Sequence, residues 1–334
     1  MTNPARTALV GSLAALTLLA SCARAAPGPA AETDRPVIRV AYNSEADLED
    51  LPSLLAHEIL REHGYTVETI FFAQSELGVQ ALAQGEADFG HGALRPYWAA
   101  VAEGAEVLTL MEHVANAWSI VSLREIIECA DLAGRRMAQH SPGGVSKALS
   151  DAYIAQACPG VEPIELIIPG SGNRAAALLA GEIDATPLEL ADVAQLLAQG
   201  GDRFHILVRF AEELPGLKTS GVTVRAAFAR QHPQAVTDYL QALLESHRRL
   251  AEDPGPLVTA AVEQLGLDPE TAAAAVEAYM AIDAWHPNGG LDRASVAASL
   301  AFYQQMGSLP EGLTAEAVAD LTYLEAALDE IGRW

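Results

Sequence analysis

Two Gly-rich turns and a few isolated polar and aromatic residues carry the side-chain chemistry of this sequence. His140-Ser141-Pro142-Gly143-Gly144-Val145-Ser146 follows a β-rich segment and opens a helix. Such a turn presents free backbone N–H groups to a carboxylate, sulfonate, nitrate or carbonyl oxygen. The plainer alternative is a helix cap formed by Ser141. Gly170-Ser171-Gly172-Asn173-Arg174-Ala175 mimics a dinucleotide fingerprint but lacks its third Gly, and a βα turn accounts for it. His91 stands between Gly90 and Gly92, where glycine lets a ligand or another backbone come close. Tyr42 and Asn43 close a strand. Trp98 and Trp118 offer faces for a planar ligand or are large core residues. Glu189 is either a ligand acceptor or the carboxylate favoured in a first helical turn. The acidic run Glu45, Asp47, Glu49, Asp50 reads as a solvated helix start.

No catalytic set accompanies these residues. His57-Glu58 has no second His at the metalloprotease spacing, no G-x-S-x-G elbow occurs, and Cys129 and Cys158 lack metal-ligand spacing. The expectation is a binding protein and not an enzyme, with no metal and no cofactor.

Composition narrows the partners. The chain has 334 residues, half of them apolar, and a formal net charge of −24. That is globular composition. It opposes binding to nucleic acid, which needs clustered Lys and Arg. With only two lysines, Lys147 and Lys218, there is no polybasic patch for an anionic membrane either.

Residues 1–22 read as a secretion signal. Arg6 precedes an apolar run, Ala8 to Ala20, that is too short to span a bilayer. The run ends in Leu19-Ala20-Ser21-Cys22, which looks like a bacterial lipobox with Cys22 as the acylated first residue of the mature chain. The alternative is an ordinary signal cleaved nearby. Residues 23–35, with Pro27, Gly28 and Pro29, form a tether. Cys129 precedes a strand and Cys158 ends the following helix, on one edge of a βαβ layer. Outside the cytoplasm the two either form a disulfide or are separate buried thiols.

The elements that position these residues alternate β-α-β-α from Val37 to Met111 and again from Ser119 to Val208, which argues for parallel-type α/β sheets. Ala81-Leu82-Ala83-Gln84-Gly85-Glu86-Ala87-Asp88 echoes Ala177-Leu178-Leu179-Ala180-Gly181-Glu182-Ile183-Asp184 in the same slot of each array, predicting two similar lobes. From Ala226 onward the pattern is helical.

The order of these segments resembles the solute-binding proteins of bacterial ABC importers, in the branch with nitrate-, sulfonate- and taurine-binding and NMT1/THI5-like (thiamine-pyrimidine) proteins. The segments that carry it include Ile38-Arg39-Val40-Ala41-Tyr42, Leu82 to Asp88, Pro96 to Ala105, Asp131 to Arg136, Ala176 to Ala185 and Phe228 to Val236. The resemblance spans about 36–331. It implies a two-lobe periplasmic-binding-protein-like (type II) α/β fold with a helical C-terminal extension packed on lobe 1. Lobe 1 would be 36–115 plus 222–334, and lobe 2 would be 119–219. A solute would sit at the carboxyl ends of the strands, against Tyr42, Asn43, His91, Trp98, Trp118, His140, Ser141, Gly143, Gly144 and Glu189. The expected partners are a permease and its ATPase. The protein would be a monomer held by lipid at the extracytoplasmic face of the membrane, on the periplasmic side in a diderm. Cations are few there, Arg95 and Arg174 alone, and Glu189 would repel an oxyanion. The expected solute is therefore a planar nitrogen compound such as a pyrimidine or flavin-type vitamin precursor, with a sulfonate, taurine or nitrate-type anion as the alternative. The pyrimidine-synthase relatives of the fold carry a cysteine-rich motif that is absent here.

Overall fold

A computed structural model describes residues 35–334 apart from Ser44, Glu45 and Pro215. The signal segment 1–22, its Cys22 and the tether up to residue 34 lie outside the described residues.

The first alternating stretch folds as β1 (Ile38–Tyr42), α1 (Leu51–Glu62), β2 (Val67–Phe71), α2 (Ser75–Gln84), β3 (Phe89–Ala93), α3 (Leu94–Ala102) and β4 (Val107–Glu112). The second supplies β5 (Trp118–Leu123), β6 (Arg136–Gln139), α4 (Val145–Ala157), β7 (Ile164–Ile167), α5 (Ser171–Ala180), β8 (Ala185–Glu189), α6 (Leu190–Gly200), β9 (Phe204–Arg209) and α7 (Phe210–Glu213). After β10 (Ser220–Arg225) come α8 (Ala226–Gln231), α9 (Pro233–Glu252), α10 (Gly255–Leu265), α11 (Pro269–Ala281), α12 (Arg293–Gln305), α13 (Ala315–Val318) and α14 (Thr322–Ile331).

The strands form two five-stranded sheets of matching plan, β2-β1-β3-β10-β4 and β7-β6-β8-β5-β9. In each, four strands run in one direction and the single antiparallel strand lies fourth in the order, between two of them. The antiparallel strands β5 and β10 are those at which the chain enters the second sheet and returns to the first.

The sequence echo marks a repeated structural joint. Gly85 and Gly181 end α2 and α5 in the left-handed conformation, at φ 78° and 76°, where a side chain would be strained. Each chain then turns into an Asp that precedes a strand. Asp88 accepts from Arg39 Nε and Nη2 at 3.0 and 2.9 Å. Asp184 accepts from Arg136 Nε and Nη2 at 3.1 and 2.7 Å. The backbone N–H of each Arg also donates to the same carboxylate. This two-pronged geometry is the strong form of the Arg–carboxylate pair. It locks β1 to β3 and β6 to β8.

Helix α9 carries an apolar face of Val236, Tyr239, Leu240, Leu243 and Leu244 against α1 and the first sheet, the usual reason a long amphipathic helix is ordered. Helix α11 packs on α6 of the second stretch, with Ala191 joining Leu257, Ala272, Val276 and Tyr279 in one apolar cluster. The helical tail thus touches elements of both sheets. Cys129 and Cys158 are bonded to each other, with Cα atoms 5.7 Å apart. Among the described residues no helix is long and apolar enough to cross a membrane.

Candidate functional site

The carboxyl ends of both sheets converge on a cavity of about 510 Å³, within the size range of small-molecule sites. The first sheet brings Asn43 after β1, Gly92 and Ala93 of β3, and Thr219 with Ser220 at β10. The second brings Trp118, His140, the start of α5 from Gly170 to Asn173, Glu189, Asp192 and Gln195. The C-terminal end of α10, Gln264 to Leu267, completes the wall.

Five of these side chains have buried polar atoms with no protein partner: Asn43 Nδ2, His140 Nε2, Asp192 Oδ2, Thr219 Oγ1 and Ser220 Oγ. Leaving a buried polar atom unpaired costs about 1–3 kcal/mol, so five around one cavity mark a surface built to be completed by something else. The role of His140 follows from its neighbours. Its Nδ1 accepts the Gly170 N–H at 3.1 Å, so the neutral ring carries its proton on Nε2. Burial first, then the Arg174 charge, lowers its pKa to about 4. At neutral pH His140 is therefore a neutral donor.

Opposite these donors stands a group of carboxylates. Asp47 caps a tight turn, Leu48–Asp50, with its Oδ1 accepting the Leu48 N–H, while Asp50 accepts the Asp47 N–H at 3.1 Å. Leu48 and Leu51 are fully buried beneath α10 and α11. They draw the residues between them inward, and Trp285 Nε1 donates to the Glu49 carbonyl at 3.2 Å. The acidic run is therefore no solvated helix start: Glu49 and Asp50 are buried, and Asp47 and Glu49 line the cavity. Burial raises Glu49 and Glu189 well above the usual carboxylate range, reinforced by their acidic neighbours. Burial and the Asp47 charge bring Asp192 to about 7.

Asn43, Trp118, His140 and Glu189 are thus brought together as cavity wall. Arg174 lies behind that wall, fully buried, with its guanidinium 5.8 Å from the Trp118 ring centroid. It donates to the Pro187 and Ile168 carbonyls. Ser141 points across to the first sheet's side, its hydroxyl donating to Glu76 Oε1 at 3.0 Å. Gly143 is needed because a Cβ there would stand 2.5 Å from that same Glu76 oxygen. Gly144 caps α4 through its backbone position and has no side chain to offer a ligand.

Three expected contacts are placed elsewhere. His91 is 1 % exposed in the core under α9, with Nε2 2.7 Å from the Tyr239 hydroxyl and Nδ1 3.1 Å from His113 Nδ1. The close approaches its glycines permit are those of Tyr97 at Gly90 and Asn43 at Gly92, not of a ligand. Tyr42 shares the face of His91 because the two are register partners on adjacent strands. It stacks on Phe71 and is buried. Trp98 is fully buried, its ring N–H bonded to Thr109 Oγ1 and its edge against Tyr303. Its size made it core.

The sequence reading missed Asp47, Glu49, Asp192, Thr219, Ser220 and the loop after α10. Two signals were available. Asp47-x-x-Asp50 is a capping-box spacing, and Glu189-x-x-Asp192 sets two carboxylates on adjacent turns of a helix start.

A family model described as NMT1/THI5 like matches residues 60–256. Among solved structures, the chain is similar to the alkanesulfonate-binding protein SsuA from Xanthomonas axonopodis pv. citri bound to MOPS. The identity is 21 % and the TM-score 0.68, over 84 % of this chain and 97 % of that one. It is also similar to the aliphatic sulphonate binding protein SsuA from Escherichia coli, at 17 % identity and TM-score 0.67 over 85 % and 92 %. The periplasmic nitrate-binding protein NrtA from Synechocystis PCC 6803 aligns at 15 % and 0.70 over 89 % of each chain. No curated protein matches in sequence. Likeness at these identities speaks for the fold.

Proposed function

The chain belongs to the NMT1/THI5-like family, and on that premise we propose that it is the solute-binding component of an ABC importer. It captures a small organic solute in the cavity between the two sheets and delivers it to a permease driven by an ATPase. It acts as a monomer outside the cytoplasmic membrane, held there by lipid on Cys22. The observation that carries this reading is the ring of five unpartnered buried polar atoms around one cavity. A solute that pairs with them recovers their desolvation cost on binding.

The carboxylates favour a solute that donates. Asp47, Glu49, Glu189 and Asp192 all face the cavity, while the nearest guanidinium, Arg174, is turned to backbone carbonyls. A planar nitrogen compound would give its N–H groups to these acids and a face to Trp118. A second reading, a sulfonate or similar oxyanion, is supported by the start of α5 and the His140 Nε2–H, both donors at the cavity wall, and by the likeness to sulfonate- and nitrate-binding proteins.

A thermal-shift panel of pyrimidines, flavins, alkanesulfonates, taurine and nitrate tests both readings, since a ligand of the folded state raises Tm with its excess over Kd. Stabilisation by a heterocycle that is lost in Glu189→Gln supports the first. Stabilisation by a sulfonate alone, retained in that variant, replaces it with the second. Chemical turnover of the bound solute would overturn the receptor reading.

A further inference from the structure

Asp47 comes from the turn after β1, and Glu189 and Asp192 come from the junction of β8 and α6. One carboxylate oxygen of each lies within 4.8 Å of the others. That span is what three oxygens show when each sits 2.3–2.6 Å from a common hard cation. Among the described residues, no Lys, Arg or His forms an ion pair with any of the three; the buried pairs of this chain are Asp88 with Arg39 and Arg225, Asp50 with His113, and Glu112 with Lys218. Glu189 and Asp192 are 7 % exposed and Asp47 is half-buried; the buried Arg174 guanidinium feels their charge but makes no ion pair with them, its bonds going to the Pro187 and Ile168 carbonyls.

One oxygen of the cluster is left unpaired. Asp192 Oδ2 is buried with no partner. The hydroxyl of Tyr279, a fully buried residue of α11, is likewise without a partner.

We propose that Asp47, Glu189 and Asp192 form a binding site for a hard divalent cation that joins the first sheet's side of the cavity to the second's. The all-oxygen donor set selects Ca²⁺, Mg²⁺ or Mn²⁺ over thiolate- and imidazole-seeking ions. Metal-ligand spacings legible in a sequence lie within one segment, whereas these ligands come from two distant ones. Each carboxylate gives the ion one oxygen and keeps a second, so Glu189 can still meet the solute.

The test uses the purified full-length chain, stripped with chelator, and titrates CaCl₂, MgCl₂ and MnCl₂ separately at pH 7.5 without solute. Calorimetry and melting temperature are both read. One of the three ions should bind at one per chain and raise Tm saturably. Asp192→Asn and Glu189→Gln should each weaken that binding at least tenfold. Both variants relieve repulsion and keep side-chain volume, so their metal-free Tm should equal or exceed the wild type's, which separates loss of the site from loss of the fold. Glu165→Gln, on the exposed face, should leave the response unchanged. No response to any ion at millimolar concentration overturns the proposal. So does a response that survives in Asp192→Asn and Glu189→Gln, or stabilisation by ethylammonium chloride alone.

Discussion

Asp88 and Asp184 occupy equivalent positions in the two halves of the chain, each grasped by an arginine on the neighbouring strand through the same pair of nitrogens. The equivalence extends to the glycine that ends the preceding helix and to the backbone bond from each Asp N–H to the carbonyl of its arginine, 2.8 Å in both. The surroundings differ. The Asp88 side chain is 2 % exposed and takes a second arginine, Arg225, at 2.9 Å. Asp184 is 12 % exposed and faces a half-open Arg136.

That difference sets a first prediction. Removing one partner of a buried pair costs about 3–5 kcal/mol, whereas a pair open to water is worth about 1 kcal/mol or less. Asp88→Ala should lower stability severalfold more than Asp184→Ala in urea titrations of the purified protein. Equal losses would mean that exposure does not set the strength of these joints.

The acids of the cavity predict an unusual dependence on pH. Asp192 titrates at about 7 in the folded chain against 3.8 for a free side chain. In that window the folded state holds more protons than the unfolded one, so the Asp192 contribution to stability falls as pH rises from about 4 to 7. Glu49 and Glu189 are raised too and act in the same direction. Asp192→Asn should therefore match the wild type near pH 4 and surpass it at pH 8. His140, His57 and His247 are lowered by burial, so both proteins should also weaken as pH drops below 6.5. A difference between them that grows toward acid would contradict the sign.

Ser141 and Glu76 tie the second stretch to the first. A hydrogen bond to a charged group contributes about 1.5–3 kcal/mol. Ser141→Ala should therefore lower the stability of the solute-free protein by about 1–3 kcal/mol. Urea titration reads it, and an unchanged midpoint would mean that the contact contributes nothing in solution.

Cysteine chemistry supplies three further checks. Thiol labelling of denatured, unreduced protein should find neither Cys129 nor Cys158 free. The bond closes a loop with a sequence separation of 29, so Cys158→Ser should cost about 3–4 kcal/mol by the loop-entropy estimate. Cys22→Ser should leave the chain unacylated and move it from the membrane fraction to the precursor or soluble pool.

What the sequence made legible was whatever repeats or punctuates locally. The two βα arrays, the Gly–Asp echo and the Gly-rich turn opening α4 were all visible as short-range patterns. The cavity wall was legible only in part. Asn43, His140 and Glu189 were found because they end strands. His91 and Tyr42 end strands as well, yet a strand alternates its faces, and nothing local says which face meets α9. Asp47 and Glu49 were hidden because only distant residues, Leu257 and Tyr279 among them, turn an acidic segment inward.

The placement of β10 bears on the order in which the molecule can form. The second sheet is encoded without interruption, from Trp118 to Arg209. The first is not: β10 lies between β3 and β4 and is reached only after the second sheet is complete. A chain growing from its N-terminus can close the later-encoded sheet first. Until residue 225 emerges, β3 and β4 face each other across a missing strand, with backbone donors and acceptors open on both edges. The half synthesised first is thus the half that matures last, and its unfinished edges are what any holding factor would have to cover during synthesis.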